Sequence, residues 1–166
     1  MGVISFDIGE KNFAYCIGNE NGEIKKIAHH NIIEKKRQTI IESCISITKI
    51  LENEEYITNS SDISILIEQQ MRANVRAQRL SQHLWSYFNT KYPNICIKFI
   101  PSHLKTQYFL GKNNLDNKSR KKWSVAKTKE LLNKNQSIVD QINNLQKQDD
   151  VCDTILQLFA HLKIDS

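Results

Sequence analysis

Five carboxylates stand on or beside apolar segments: Asp7 inside "VISFDIG", Glu68 near the end of "ISILIEQ", and Asp149, Asp150 and Asp153 opening "DDVCDTILQLFAHLK". An unpaired buried carboxylate costs several kcal/mol, so an acid on a buried segment calls for hydrogen-bond donors, a cation or a place at the segment's end. Clustered acids also repel one another unless a cation neutralises them. Hard divalent cations such as Mg²⁺ take oxygen ligands, and a site that must hold a phosphate as well uses a few carboxylates and leaves other positions open. With two such ions, one lowers the pKa of an attacking water and the other stabilises the leaving oxygen of an in-line phosphoryl displacement. Asp7, Glu68, Asp150 and Asp153 suit that chemistry. At about 100° per residue, Asp150 and Asp153 lie about 60° apart around a helix, and the helix macrodipole favours their ionised form at its N-terminal end. Each acid taken singly has a plainer reading. Asp7 would be a turn residue ahead of Gly9, Glu68 the partner of Arg72, Asp149 or Asp150 an N-cap or first-turn acid, and Asp153 part of a solvated helix face.

Basic residues supply a second constellation. Arg72, Arg76 and Arg79 recur at i, i+4 and i+7, beside the apolar stripe of Leu80, Leu84 and Tyr87, and this spacing predicts an exposed basic ridge. "KSRKKW" adds Lys118, Arg120, Lys121 and Lys122 next to Trp123. That combination neutralises phosphates and offers a ring on which an unpaired base can stack, and its plainer reading is a solvated charge run.

These side chains need elements to hold them. Residues 3–8, 13–17 and 24–33 read as three short strands, with "NENGE" carrying the Asn-Gly signal of a tight hairpin. From Lys35 to about Glu54, Ile40, Ile41, Cys44, Ile45, Ile47, Ile50 and Leu51 recur at helical spacing. "ISILIEQ" (63–69) and "ICIKFIP" (95–101) are further strands, and the residues between them have helical periodicity over 73–91. A long polar tract, "GKNNLDNKSRKKW", precedes the weakly helical "SVAKTKELLNK" and the closing helix with Val151, Ile155, Leu158, Phe159 and Leu162. Three strands, helix, strand, helix, strand and helices make an α/β layout whose parallel portion follows an antiparallel start. Few folds share that order, the ribonuclease H-like fold among them.

Composition narrows the function classes. The 166 residues are 40% hydrophobic and 25% charged, which predicts one globular domain over 1–166. No stretch approaches the roughly 18 apolar residues of a membrane span, and no signal-peptide pattern opens the chain. The net charge of +5 accords with a polyanionic partner. Cys16, Cys44, Cys96 and Cys152 are widely spaced among apolar neighbours and predict buried, reduced thiols rather than a zinc site. There is no Walker loop and no Gly-x-Ser-x-Gly elbow. The histidines lack metal-ligand spacing, and only His103, close to Lys105, draws notice.

"FDIGEKNFAYCI", "ILIEQQMRANVRAQRL", "IPSHLKTQYFLG" and "KQDDVCDTILQLFAH" resemble, in order and spacing, the four acidic-and-lysine blocks of the RuvC-type Holliday junction resolvases, above all those of poxviruses. The resemblance runs from Val3 to His161 and is carried by the ordered set, with its closing Asp-x-x-Asp, more than by Asp-x-Gly alone. It implies a ribonuclease H-like fold, with a mixed five-stranded sheet and helices on both faces. It also implies a homodimer that hydrolyses paired strands of a four-way DNA junction with Mg²⁺ or Mn²⁺, two ions per site. Carried over by position, the family acids fall on Asp7, Glu68, Asp150 and Asp153, and the family lysine after the third-block proline falls on Lys105, where a cation would hold the scissile phosphate. Asp149 has no counterpart, and the later basic position stays open among Lys118, Lys121 and Lys122. A poxviral setting implies host-cell cytoplasm or the virion, which suits reduced thiols.

The residues leave other readings open. A ribonuclease H acting on RNA–DNA hybrids would use the same acids, and a non-catalytic DNA-binding module would use the same basic ridge. Actin-like kinases share an opening Asp-x-Gly hairpin but need a second phosphate loop and about twice the length. The large apolar groups Leu84, Trp85 and Phe88 exceed what one packed face requires, and Trp85 is the expected subunit contact.

Overall fold

The computed structural model describes residues 1–58, 63–111 and 115–164. The chain opens with β1 (Gly2–Ile8), β2 (Asn12–Asn19) and β3 (Ile24–Asn31), an antiparallel meander. Asn19 closes the second turn by accepting from the backbone of Asn21 and Glu23 through its side chain. Gly22 has φ +79°, a backbone conformation that favours glycine, and a Cβ there would also have to displace the end of the Ile164 side chain, 2.5 Å away.

Two helices follow, α1 (Ile40–Glu52) and α2 (Glu55–Thr58), then β4 (Ile63–Gln69), α3 (Val75–Lys91) and β5 (Cys96–Pro101). The helix expected from Lys35 starts at Ile40, because Thr39 and Glu42 form a reciprocal capping box that fixes the entry. Downstream lie α4 (Leu104–Leu110), α5 (Asn117–Leu131), α6 (Gln136–Asn143) and α7 (Gln148–Leu162). The basic run expected in a polar tract forms the opening turns of α5. Asp116 caps that helix through a 2.8 Å bond from the Ser119 amide; residues 112–114 of the tract lie outside the described residues.

The sheet order is β3-β2-β1-β4-β5, with β4 parallel to both β1 and β5. Helices cover both faces, as the ribonuclease H-like reading expected. Strand alternation sends Ile4, Phe6 and Ile8 to one core, where they meet Ile47 and Leu51 of α1 and Leu80, Leu84 and Phe88 of α3. Val3, Ala14, Cys16 and Leu66 face the other way and pack against Val151, Cys152, Ile155 and Leu158 of α7. Helix α7 is buried almost all round from Val151 to Ala160. Gln157 anchors it to β1 by donating to Ser5 Oγ (3.0 Å) and the Phe6 carbonyl (3.5 Å).

The cysteines depart from expectation in one respect. Cys16 and Cys152 are buried, but Cys44 is half-buried and Cys96 is exposed on the edge strand β5. Among the described residues no helix is long and apolar enough to cross a membrane.

Candidate active site

Asp7 sits within the β1 ladder opposite Ala14, and Ala14 in turn lies opposite His29 on β3. Directly opposed residues point to one face of a sheet. Asp7 is therefore not the turn residue of the plainer reading; Gly9, whose amide donates to the Asn12 carbonyl at 2.9 Å, closes that turn. The β1–β4 ladder pairs Phe6 with Ile67. Asp7 and Glu68 are the next residues along these two parallel strands and share the face covered by α7. The first turn of α7 adds Asp149 and Asp150, with Asp153 one turn on. Ligand sites of open α/β sheets lie at the carboxyl ends of the strands, and Asp7 and Glu68 are each one residue from theirs.

Lys105, from α4, ties the site together. Its ammonium lies 3.0 Å from Asp153 Oδ2 and 3.5 Å from Glu68 Oε1, and the residue is only 4% exposed. Burial pulls its pKa down, but the charges of Glu68, Asp153 and Asp7 outweigh burial and leave the pKa above the usual lysine range. The Asp7 carboxyl is held well above its ordinary pKa, first by burial and then by the charge of Glu68; Asp153 and Asp150 push the same way, and Lys105 opposes them in part. One ammonium thus faces three acids, Glu68, Asp153 and Asp7.

Other partners fix the remaining acids. Ser124 of α5 donates to Asp153 Oδ1 at 2.5 Å. Lys121 pairs with Asp149, which raises the lysine's pKa, so Asp149 bridges to the basic helix while Asp150 turns elsewhere. Asp150 Oδ2 lies 3.2 Å from His29 Nε2. His103 stands at the start of α4 and makes no side-chain cap; the histidine that reaches the acids comes from β3. Sequence spacing carried no sign of His29 or Ser124, because each meets its acid only across the fold. Glu68 pairs with Lys105, where the plainer reading had expected Arg72. Burial pushes the Cys152 thiol up to about 12, the state of an inert packed thiol.

Asp7, Glu68, Asp150 and Asp153 supply oxygen donors of the kind a hard divalent cation takes. Among the described residues, no three acidic, histidine or cysteine side chains converge as a ready coordination shell; Lys105 stands between Glu68 and Asp153.

The basic residues divide. Arg72 is exposed and so are Lys118, Arg120, Lys121 and Lys122, with Arg79 also open to solvent. Arg76 departs from the expected ridge. Its Nη2 donates to Ser43 Oγ at 2.7 Å and to the Gln38 and Thr39 carbonyls at 3.4 Å, which cross-links α3 to the start of α1. Leu84 and Phe88 are wholly buried, whereas Trp85 is 42% exposed. Together with Phe99, Trp85 lines an open groove of about 710 Å³ that includes Gln69 and Gln70, immediately after Glu68.

No protein-family model matches the chain. It is 28% identical to the uncharacterized protein 170L of Invertebrate iridescent virus 6 over 96% of this chain and 87% of that protein. It is 24% identical to protein 97L of Invertebrate iridescent virus 3 over 98% and 100%. Among solved structures, the yeast mitochondrial Holliday junction resolvase Ydc2 superposes with a TM-score of 0.66 at 19% identity, covering 97% of this chain and 77% of the other. RuvC of Thermus thermophilus matches with a TM-score of 0.64 at 10% identity, over 98% and 97%. In complex with Holliday junction substrate, it gives 0.59 at 9% identity, over 95% and 92%. The fowlpox virus Holliday junction resolvase gives 0.59 at 15% identity, over 98% of each chain. The likeness to poxvirus enzymes is thus one of fold, while the relatives by sequence belong to iridescent viruses. The chain has the ribonuclease H-like fold of the RuvC-type Holliday junction resolvases.

Proposed function

We propose that this protein is a divalent-metal-dependent DNA endonuclease that resolves four-way junctions by paired phosphodiester hydrolysis, with residues 1–166 acting as one catalytic domain. The observation that carries this reading is that Glu68, Asp153 and Asp150 all act electrostatically on the buried Asp7, with Lys105 paired to Glu68 and Asp153, on a fold shared with Holliday junction resolvases. Asp7, Glu68, Asp150 and Asp153 would hold Mg²⁺ or Mn²⁺, two ions per site, which when bound activate water and stabilise the leaving 3′ oxygen. Lys105 neutralises Glu68 and Asp153 and is placed to offset negative charge on the scissile phosphate. Lys118, Arg120, Lys121 and Lys122 belong to the helix whose Ser124 and Lys121 reach the acids, and with Arg79 on α3 and Arg72 in the turn ahead of it they offer phosphate contacts.

A junction is nearly two-fold symmetric, and a homodimer presents two equivalent sites to it. The exposed Trp85 and Phe99 of the groove lined by Gln69 and Gln70 are the subunit contact in this reading. The iridescent virus relatives support a viral setting, and in this reading the enzyme processes viral replication and recombination intermediates in host-cell cytoplasm or the virion.

The test is cleavage of labelled four-way junction, linear duplex and RNA–DNA hybrid with Mg²⁺, Mn²⁺ or EDTA, by wild type and Asp7→Asn. Paired, ligatable nicks on the junction alone, lost in EDTA and in the variant, are expected. Cleavage of hybrid in place of junction would make the protein a ribonuclease H, and binding without any cutting would make it a non-catalytic module.

A further inference from the structure

The His29–Asp150 contact joins residues 121 positions apart, and neither the sequence motifs nor the metal chemistry accounts for it. His29 stands in the same cross-sheet row as Asp7, separated from it only by Ala14. At about 4.8 Å between adjacent strands, that row sets His29 roughly 10 Å from Asp7. Ala14, 1% exposed, is small enough to leave the space above it to the side chains on either side. Helix α7 crosses this row. Its Asp153 is held by Lys105 and Ser124, on the side of Glu68. Its Asp150, in the first turn, is held at the β3 end by His29, with side-chain exposures of 15% for the imidazole and 19% for the acid. A carboxylate only accepts, so the hydrogen bond requires a proton on His29 Nε2, whether or not Nδ1 also carries one.

We infer that His29 is a positioning residue: its Nε2–H fixes the Asp150 carboxylate so that the acid's other oxygen serves a divalent cation. The inference rests on the metal-dependent reading proposed above. An acid at a helix start has several staggered rotamers, and those that turn it to solvent are lost to the site. A donor anchored in a sheet ladder selects one of them without adding a ligand. Partners of this kind, one step out from the metal, are worth about 10- to 100-fold in metal affinity.

The test is Mn²⁺ binding by the full chain, followed by the electron paramagnetic resonance signal of the free ion, with circular dichroism as the check on fold. His29→Ala should weaken binding about 10-fold or more, and cleavage of the four-way junction should return when Mn²⁺ is raised to saturation. His29→Gln, whose amide nitrogen reaches close to the Nε2 position and donates, should bind Mn²⁺ within about twofold of wild type. In an Asp150→Asn background, His29→Ala should change nothing further. Wild-type affinity in His29→Ala would overturn the inference alone, as would a His29→Gln variant as weak as the alanine. A full additional loss in the Asp150→Asn background would also overturn it, since His29 would then act by another route. No Mn²⁺ binding by the wild type would overturn the metal-dependent reading itself and this inference with it.

Discussion

Lys105 and Asp7 set the character of the site through opposite responses to burial. A buried lysine ordinarily sheds its proton, but here three acids hold it charged. Asp7 has the reverse problem, since burial and its acidic neighbours all favour the protonated form and only Lys105 opposes them. The consequence for stability follows from proton linkage. Above the usual aspartate value of 3.8 the unfolded chain has released the Asp7 proton while the folded protein still holds it. Folding stability without metal therefore falls as pH rises from that value through the raised folded one. Lys105 does not mask this trend, because its contribution is complete below the ordinary lysine pKa and is lost only above it. Asp7→Asn has no such proton, so in EDTA it should be the more stable form at neutral pH while losing cleavage and keeping junction binding. Urea denaturation from about pH 4 to about pH 7 should show a flatter profile for the variant. Parallel profiles would mean that Asp7 is ionised in the metal-free protein.

At the scale of elements, α3 and α5 divide the basic residues between packing and surface. Arg76 spends its guanidinium on Ser43 and two carbonyls at the start of α1, whereas Arg72 and Arg79 on one side and Lys118 and Lys122 on the other remain open to solvent. Arg76→Ala should therefore lower the unfolding free energy by about 1–3 kcal/mol, by leaving polar groups unpaired, with little change in the salt dependence of DNA binding. A double Arg72→Ala, Arg79→Ala variant should keep wild-type stability and flatten the plot of log K against log salt by about 0.9 for each phosphate that is no longer neutralised. Chemical denaturation and salt-titrated binding to a four-way junction separate the two effects. An unchanged slope in the double variant would move the DNA path to α5. Of the three arginines expected along one side of α3 only Arg76 and Arg79 lie on it, with Arg72 in the turn ahead of it; the periodicity of the helix itself was legible in the sequence. Which arginine turns inward was not, because that depends on where α1 crosses.

For the whole molecule, the question is whether two copies act together. Leu84 and Phe88 fill the core, but Trp85, between them in sequence, is left outside with Phe99 at the groove lined by Gln69 and Gln70. Trp85→Glu should change stability by no more than about 0.5 kcal/mol, as befits an exposed position, whereas Leu84→Ala should cost about 2–5 kcal/mol. If the groove joins the subunits, light scattering should find a dimer in the wild type and a monomer in Trp85→Glu. The variant should then nick junctions singly, without the paired cuts that ligate. A dimer that survives Trp85→Glu would place the interface on another face.

The sequence by itself determined the strands, most of the helices and the faces on which their side chains fall, because strand and helix periods are local properties of the backbone. It therefore indicated Asp7, Glu68 and the Asp150–Asp153 pair as acids on elements of one α/β sheet. It also indicated Lys105, through likeness to known resolvase blocks. Tertiary structure alone decided the partners. Lys105 is buried between Glu68 and Asp153, Ser124 and Lys121 reach from α5, and His29 meets Asp150 across the sheet. A period states which way a side chain points from its own element, and only the packing of elements states what it meets there.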